Sequence, residues 1–281
     1  MIDDMGDGQD TAQADHVHLL FDPHEVLGTV VGHRRRYANG VATLAEDELA
    51  RPSRCEGWSV GDVLRHGIWV DEAMQRIWSG GLFPEGFDPR TTPNEFVAAH
   101  RDVPDAEIQG RYLARTDAMI LKLESADTDL YSNPSVSPLG RVPWWFTVVH
   151  LGWDSSVHER DVLLPLGHDV EQTPGETTLF LAYSLVLASF FAGPDPLIVQ
   201  VNTVRLHRGD GPVIAWANTM DDQFEEAAGC NFNEQVTELT GIPAPTIDAL
   251  TGRGHLTDVL EGPKSTVDRL SGFARFFNPS M

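Results

Sequence analysis

The chain is organised around residues 142–166, VPWWFTVVHLGWDSSVHERDVLLPL, a stretch with the length of one helix. His150, Asp154 and His158 recur in it at four-residue steps, and residues four apart lie above one another on a helix face. Imidazoles and carboxylates among apolar side chains are costly to bury unless they pair with each other or bind a metal. We therefore predict a metal site on this face.

The composition predicts a soluble globular protein. The 281 residues suffice for one large domain or two ordinary ones, and 41% of them are hydrophobic. Lys and Arg number 20 against 42 Asp and Glu, which gives a formal net charge of −22. This acidity argues against nucleic acid and anionic membrane surfaces as partners, because both require clustered Lys and Arg.

The cysteines and the N-terminus predict a cytoplasmic protein. Cys55 and Cys230 are far apart and form no CxxC pair, which favours two free thiols in a reducing compartment over a single disulfide. Residues 1–16 are acidic, are predicted to be disordered, and lack the basic and apolar regions of a secretion signal. No apolar run approaches the roughly 18 residues that span a bilayer.

Hydrophobic periodicity predicts four amphipathic helices in the first part of the chain. Their approximate ranges are 23–49, 58–78, 94–125 and 142–166. Ser59 and Asp62 form a capping-box pattern at the start of the second helix, and Pro104 predicts a kink or short break in the third. Residues 34–36 are three arginines, which we assign to a solvated face with ion pairs. Four helices without strand signals between them are typical of an antiparallel four-helix bundle.

The composition changes after residue 167, and the second part of the chain is predicted to be a small α+β domain. It contains an apolar helix at about 175–192, a strand at 197–206 that pairs with a second at 213–217, and a final helix at about 264–277. The predicted division has three parts: a disordered N-terminus (1–16), a bundle (17–170) and an α+β domain (171–281).

Two motifs resemble the mycothiol-dependent maleylpyruvate isomerase family, a branch of the DinB-like bundles. CEGWSVGDVLRH (residues 55–66) is similar to the family's second-helix segment, and DSSVHERDVLLPLG (residues 154–167) is similar to its fourth. A weaker similarity to the family's second domain covers residues 246–262. The resemblance implies a mainly α protein, in which a DinB-like metal-binding four-helix bundle precedes a small α+β domain.

The resemblance also implies that His66, Asp154 and His158 bind a metal, although Asp154 stands where the family usually has Glu. Two histidines and a carboxylate suit zinc or another divalent metal and leave one coordination position open, as in catalytic sites. The role of His150 stays open between a fourth or replacement ligand and a supporting or core residue. Asp161 either orients the imidazole of His158 or pairs with an arginine.

A bound metal lowers the pKa of a ligated thiol, but Cys55 lies in a capping loop and is no obvious nucleophile. The family implies mycothiol, the low-molecular-weight thiol of actinobacteria, as cosubstrate. We predict a metal-dependent S-transferase that acts on a small electrophile. The alternatives are a maleylpyruvate isomerase, for which Arg205, Arg208 and Arg253 are candidate anion anchors, and a non-catalytic bundle that binds metal or a small ligand.

Overall fold

The computed structural model describes six ranges of the chain: residues 17–83, 85–126, 133–138, 140–209, 213–217 and 236–278. The predicted disorder of residues 1–16 and the cysteine at position 230 lie outside these ranges. The chain forms two compact units. One comprises Asp22–Thr128 and Val148–Phe180, and the other comprises Met1–Phe21, Asp129–Thr147 and Leu181–Met281.

The first unit is built from helices that the periodicity predicted, with two divisions. Its elements are α1 (Pro23–Ala42), α2 (Glu46–Leu49), α3 (Val60–Trp78), α4 (Thr92–Ala99), α5 (Asp105–Glu124), most of α6 (Trp144–Leu163) and the first part of α7 (Pro174–Phe190). The short break predicted at Pro104 is present, because this residue precedes α5 as its N-cap. The predicted first helix likewise divides into α1 and α2.

Capping fixes where α3 begins. The backbone N–H of Asp62 donates to Ser59 Oγ at 3.1 Å, and the N–H of Ser59 donates to Asp62 Oδ2 at 3.2 Å. This reciprocal pair is the predicted capping box and satisfies two backbone donors that a helix start leaves unpaired. The start of α3 sets the rotation at which His66 faces its neighbours.

The core of this unit joins α1, α3, α5 and α6. Buried side chains from these helices and their connections form one cluster: Tyr37, Val41, Leu44, Leu49, Val60, Val63, Leu64, Ile68, Ile108, Tyr112, Val162 and Leu163. Two glycines allow close approach beside the predicted ligands. A Cβ at Gly67 would lie 2.7 Å from Tyr112, and one at Gly152 would lie 2.7 Å from Val30. A larger residue at either position would force the neighbouring side chain or its helix to shift.

The three arginines at 34–36 do not share the predicted solvated face. Arg34 is only 3% exposed, and its Nη2 donates to both carboxylate oxygens of the fully buried Asp71 at 2.8 Å. Arg36 binds Glu159 and Glu176, whereas Arg35 forms an exposed pair. The prediction was wrong for Arg34 because its partner comes from α3, which local sequence does not reveal.

The second unit contains a six-stranded sheet of order β1-β6-β5-β4-β7-β8. Its strands are β1 (Val17–Leu20), β4 (Leu197–Val201), β5 (Val204–Arg208), β6 (Val213–Ala217), β7 (Thr237–Gly241) and β8 (Leu260–Glu261). The pairs β1–β6 and β4–β7 are parallel, and the others are antiparallel. The single strand predicted at 197–206 is a hairpin, because Asn202 adopts a φ of 52° and turns the chain.

The structure adds a short hairpin to a predicted loop and divides the predicted final helix in two. A hairpin of β2 (Pro134–Ser137) and β3 (Gly140–Pro143) occupies part of the predicted loop before α6. The C-terminal helices are α8 (Pro243–Leu250), α9 (Leu256–Val259), α10 (Lys264–Leu270) and α11 (Gly272–Phe277). The predicted domains 17–170 and 171–281 are contiguous in sequence, whereas β1 and the β2–β3 hairpin share a compact unit with the C-terminal sheet.

The predicted fold class is confirmed: the protein is mainly α, with a helical bundle and a smaller α+β part. No helix within the described ranges combines the length and apolarity that a bilayer crossing requires.

Candidate metal centre

The bundle brings together the three side chains that the sequence singled out. His66 on α3 places Nε2 3.5 Å from Asp154 Oδ1 on α6, and the Nε2 of His158 lies 3.7 Å from the same oxygen. One ligand atom from each residue lies within 4.8 Å of the other two. Their side chains are 8%, 16% and 12% exposed in the order His66, Asp154 and His158, so the group is shielded but reachable from solvent.

These distances fit a small divalent cation. Nitrogen and oxygen ligands bind Zn²⁺ tetrahedrally at about 2.0–2.1 Å, which separates neighbouring donor atoms by about 3.4 Å. The two measured separations, 3.5 and 3.7 Å, are close to that value. The carboxylate of Asp154 therefore reaches both imidazoles, although its side chain is one methylene shorter than the Glu of the family pattern.

The charges of Asp154 and His158, which both lie on α6, stabilise each other. Burial opposes ionisation of Asp154, yet the imidazoles of His158 and His66 hold the pKa of its carboxyl well below the usual range. Burial likewise opposes charge on His158, but Asp154, Asp161 and Cys55 outweigh it and raise the pKa of His158 to about 10. In the metal-free protein at neutral pH, Asp154 is thus ionised and His158 protonated.

This protonation predicts a pH-dependent metal affinity. A metal must displace the proton of His158, so we expect zinc affinity to rise about tenfold per pH unit from pH 7 towards pH 9, with one proton released per metal. Competition with a chromophoric chelator at fixed ionic strength measures this slope. A pH-independent affinity, after correction for the chelator's own titration, would contradict the assignment of His158 as a ligand.

The opposite side of the His158 ring is held by a second cluster. Its Nδ1 lies 3.0 Å from Oδ2 of the fully buried Asp161, and the Cys55 thiol donates to the same oxygen at 3.1 Å. Arg54 Nε lies 3.8 Å from the other carboxylate oxygen. Both alternatives raised for Asp161 are therefore observed: it contacts His158 and an arginine. A carboxylate on Nδ1 leaves Nε2 as the atom that faces Asp154.

Asp161→Asn is expected to weaken zinc binding by about 10- to 100-fold, because an amide supports the imidazole less well than a carboxylate does. The matched control is Cys55→Ser, which alters the other group on the same oxygen and should change the affinity by less than about threefold. Calorimetric zinc titration of both variants checks this. A larger loss in Cys55→Ser than in Asp161→Asn would indicate that the thiol itself binds the metal.

His150 lies outside the group of three. Its ring packs against Trp153, with centroids 5.6 Å apart, and burial lowers its pKa. Its four-residue spacing to Asp154 was the same as that of His158, so the spacing alone did not separate a ligand from a core residue. The geometry favours the core interpretation for His150.

The sequence reasoning missed the aromatic surroundings of His66. The indole of Trp58 lies 5.4 Å and that of Trp69 lies 5.8 Å from the His66 ring centroid, so two tryptophans pack against the imidazole. Trp69 is three residues after His66 on α3, a spacing that places both on one face and was available as a signal. Trp58 precedes the helix, and its position depended on tertiary structure.

Two cavities in this unit differ in size and position. A void of about 10 Å³, sufficient for about one water molecule, adjoins Asp154 and His158. A cleft of about 450 Å³ is lined by Arg65, Ile68, Glu72, Phe96, His100, Ile108, Arg111, Ala114 and Arg115. At 100° per residue, the cleft residues of α3 occupy a different face from His66. We therefore place the chemistry at the ligand group and not in the larger cleft.

Fold and geometry together define a helical-bundle protein with a histidine–carboxylate group suited to a divalent metal. Residues 32–163 match the family described as the mycothiol maleylpyruvate isomerase N-terminal domain, and all three predicted ligands lie in this range. The resemblance found in the two motifs is thus confirmed, because this part of the helical bundle is similar to the N-terminal domain of that family.

Two crystal structures share the fold: the mycothiol-dependent maleylpyruvate isomerase and a histidine-to-alanine mutant of it. Each aligns with a TM-score of 0.61 at 13% identity and covers 87% of this chain and 94% of the matched chain. No curated protein matches this chain significantly in sequence.

Proposed function

We propose that the protein is a metal-dependent S-transferase that uses mycothiol as cosubstrate and adds or exchanges this thiol on a small electrophile. The observation that carries the proposal is the group His66, Asp154 and His158, whose ligand atoms lie within 4.8 Å of one another. Three such ligands leave an open position on a tetrahedral metal. The match to a mycothiol-dependent family supports this thiol as the occupant.

Each residue of the site has a distinct task in this proposal. When bound, the metal supplies a thiolate near neutral pH by lowering the pKa of a ligated thiol. His66, Asp154 and His158 hold the metal, and Asp161 orients the His158 ring through Nδ1. The Cys55 thiol donates to Asp161 and so has a supporting position, which is consistent with an external thiol as the nucleophile.

The contacts of the three candidate anion anchors favour thiol transfer over isomerisation of a dicarboxylate, because each arginine already binds groups of its own unit. Arg208 donates to the backbone carbonyls of Ser189 and Gly193 and, at 2.8 Å, to that of Asp195. Arg205 and Arg253 also contact groups of their own unit: Gln200 Oε1 at 2.7 Å and the Thr251 carbonyl at 2.7 Å, respectively. These contacts give all three guanidinium groups a structural role.

A maleylpyruvate isomerase is the second candidate, and the family match favours it. Here the thiol adds to the substrate, the adduct rotates about the former double bond, and the thiol is expelled. An incubation with mycothiol distinguishes the transferase from the isomerase. Zinc-loaded protein is given either chloro-dinitrobenzene or maleylpyruvate, and the products are identified. A stable S-conjugate supports transfer, and fumarylpyruvate without net thiol consumption supports isomerisation. Absence of both products would leave a non-catalytic binding bundle, and product formation at a rate that does not depend on mycothiol would exclude both mycothiol-dependent candidates.

A further inference from the structure

A run of aromatic rings extends outward from the candidate metal ligand His66. Trp58 and Trp69 both pack against the imidazole, and Trp69 stacks on Phe87 with centroids 5.9 Å apart and an interplanar angle of 15°. Phe87 in turn stacks on Phe83 at 4.6 Å and 21°. We call Trp58, Trp69, Phe83 and Phe87 the aromatic ladder.

The rings of the ladder are more exposed than the core rings of the same unit, and a hydrogen bond fixes one of them. Its four rings are half-buried, whereas the core rings of Tyr37 and Tyr112 are 2% and 3% exposed. The Trp58 indole N–H donates to Asn94 Oδ1 at 2.9 Å, which fixes that ring beside His66. Phe83 and Phe87 lie on the connection between α3 and α4. The rings thus form a preformed, partly exposed apolar surface next to the ligand group.

We propose that the aromatic ladder binds the electrophile and selects planar aromatic or conjugated molecules. This inference rests on the proposed function, in which a metal at His66, Asp154 and His158 holds the thiolate close to the rings that pack against His66. Flat π-systems stack on aromatic faces in offset geometry. The ladder contains no charged side chain that would pair with the carboxylates of a dicarboxylate, so a neutral planar substrate fits it better.

For an aryl halide, the reaction balances without another reactant. The thiolate sulfur forms a bond to the ring carbon, the carbon–halogen bond breaks, and the halide leaves with its electron pair. The thiol proton passes to solvent, so the products are an aryl thioether, halide and a proton. The ladder's part is to hold the ring flat, with the reacting carbon towards the metal position.

Trp69→Ala and Phe87→Ala test the proposal, with Trp78→Ala as the matched control on the same helix. Trp78 packs under Lys122, 5.3 Å from its ring centroid, and is not part of the ladder. We expect the ratio of kcat/KM for chloro-dinitrobenzene to that for a short aliphatic epoxide to fall about tenfold in both ladder variants. Trp69→Phe should restore most of it, and Trp78→Ala should leave it unchanged.

A binding measurement separates this inference from the proposed function. Dinitrobenzene without the chlorine cannot react, and its affinity for zinc-loaded protein is measured by quenching of tryptophan fluorescence. The proposal predicts about tenfold weaker binding in Phe87→Ala than in Trp78→Ala, whether or not the protein turns over any thiol substrate. Equal binding by wild type and all variants, or an equal fall in kcat/KM for both electrophiles, would overturn it.

Discussion

His158→Ala should lose zinc binding by more than about 100-fold and with it all thiol-dependent activity. This loss exceeds the range of about 10- to 100-fold that removal of a supporting residue causes, because His158 is proposed to bind the metal directly. His66→Ala is expected to behave in the same way, since its Nε2 approaches the same Asp154 oxygen. Metal content after dialysis, measured by atomic emission, checks both variants.

The matched control is His150→Ala, which removes an identical ring from the same helix. Because His150 packs on Trp153 outside the ligand group, this variant should retain one equivalent of zinc and show at most a modest loss of stability. Retention of zinc by His158→Ala together with loss by His150→Ala would reverse the proposed ligand set.

Asp71→Ala is expected to destabilise the bundle by about 3–5 kcal/mol, because it leaves the guanidinium of Arg34 buried without its carboxylate. Arg34 and Asp71 are 3% and 0% exposed, so water cannot replace the lost partner. Denaturant unfolding of the metal-free protein measures the change in the free energy of unfolding.

Two further variants control this prediction. Glu107→Ala removes the carboxylate from the exposed pair with Arg111 and should cost less than about 1 kcal/mol. The double variant Arg34→Met/Asp71→Leu should be more stable than Asp71→Ala alone, because it leaves no unpaired buried charge. Equal losses in the free energy of unfolding for Asp71→Ala and Glu107→Ala would show that the buried pair contributes no more to stability than the exposed pair.

The sequence predicted the helices well because their signals are local. The capping box at Ser59 and Asp62, the break at Pro104 and the apolar stripes each depend on residues within a few positions. Strand β1 has only four residues, and its pairing partner β6 lies about 200 residues away. The local sequence therefore contains no signal that predicts this strand. The β2–β3 hairpin was likewise too short for alternation to stand out from turn residues.

The site was predictable only in part from the residues themselves. Four-residue spacing placed Asp154 and His158 on one face of α6, but it placed His150 on the same face and made it an equal candidate for a ligand. His66, on another helix, entered the ligand group through the resemblance of its motif to a family. The contact of Cys55 with Asp161 and the position of Trp58 depend on how the loop before α3 packs near α6, which spacing does not encode.

We propose above all that His66, Asp154 and His158 bind one metal and leave a position for an external sulfur. X-ray absorption at the zinc edge tests it most directly, on zinc-loaded protein with and without mycothiol. We predict only nitrogen and oxygen ligands at about 2.0–2.1 Å without the thiol, and one added sulfur at about 2.3 Å with it. Two results would contradict this ligand set. One is the absence of bound zinc, and the other is a sulfur ligand already present without mycothiol, which a metal bound to Cys55 would give.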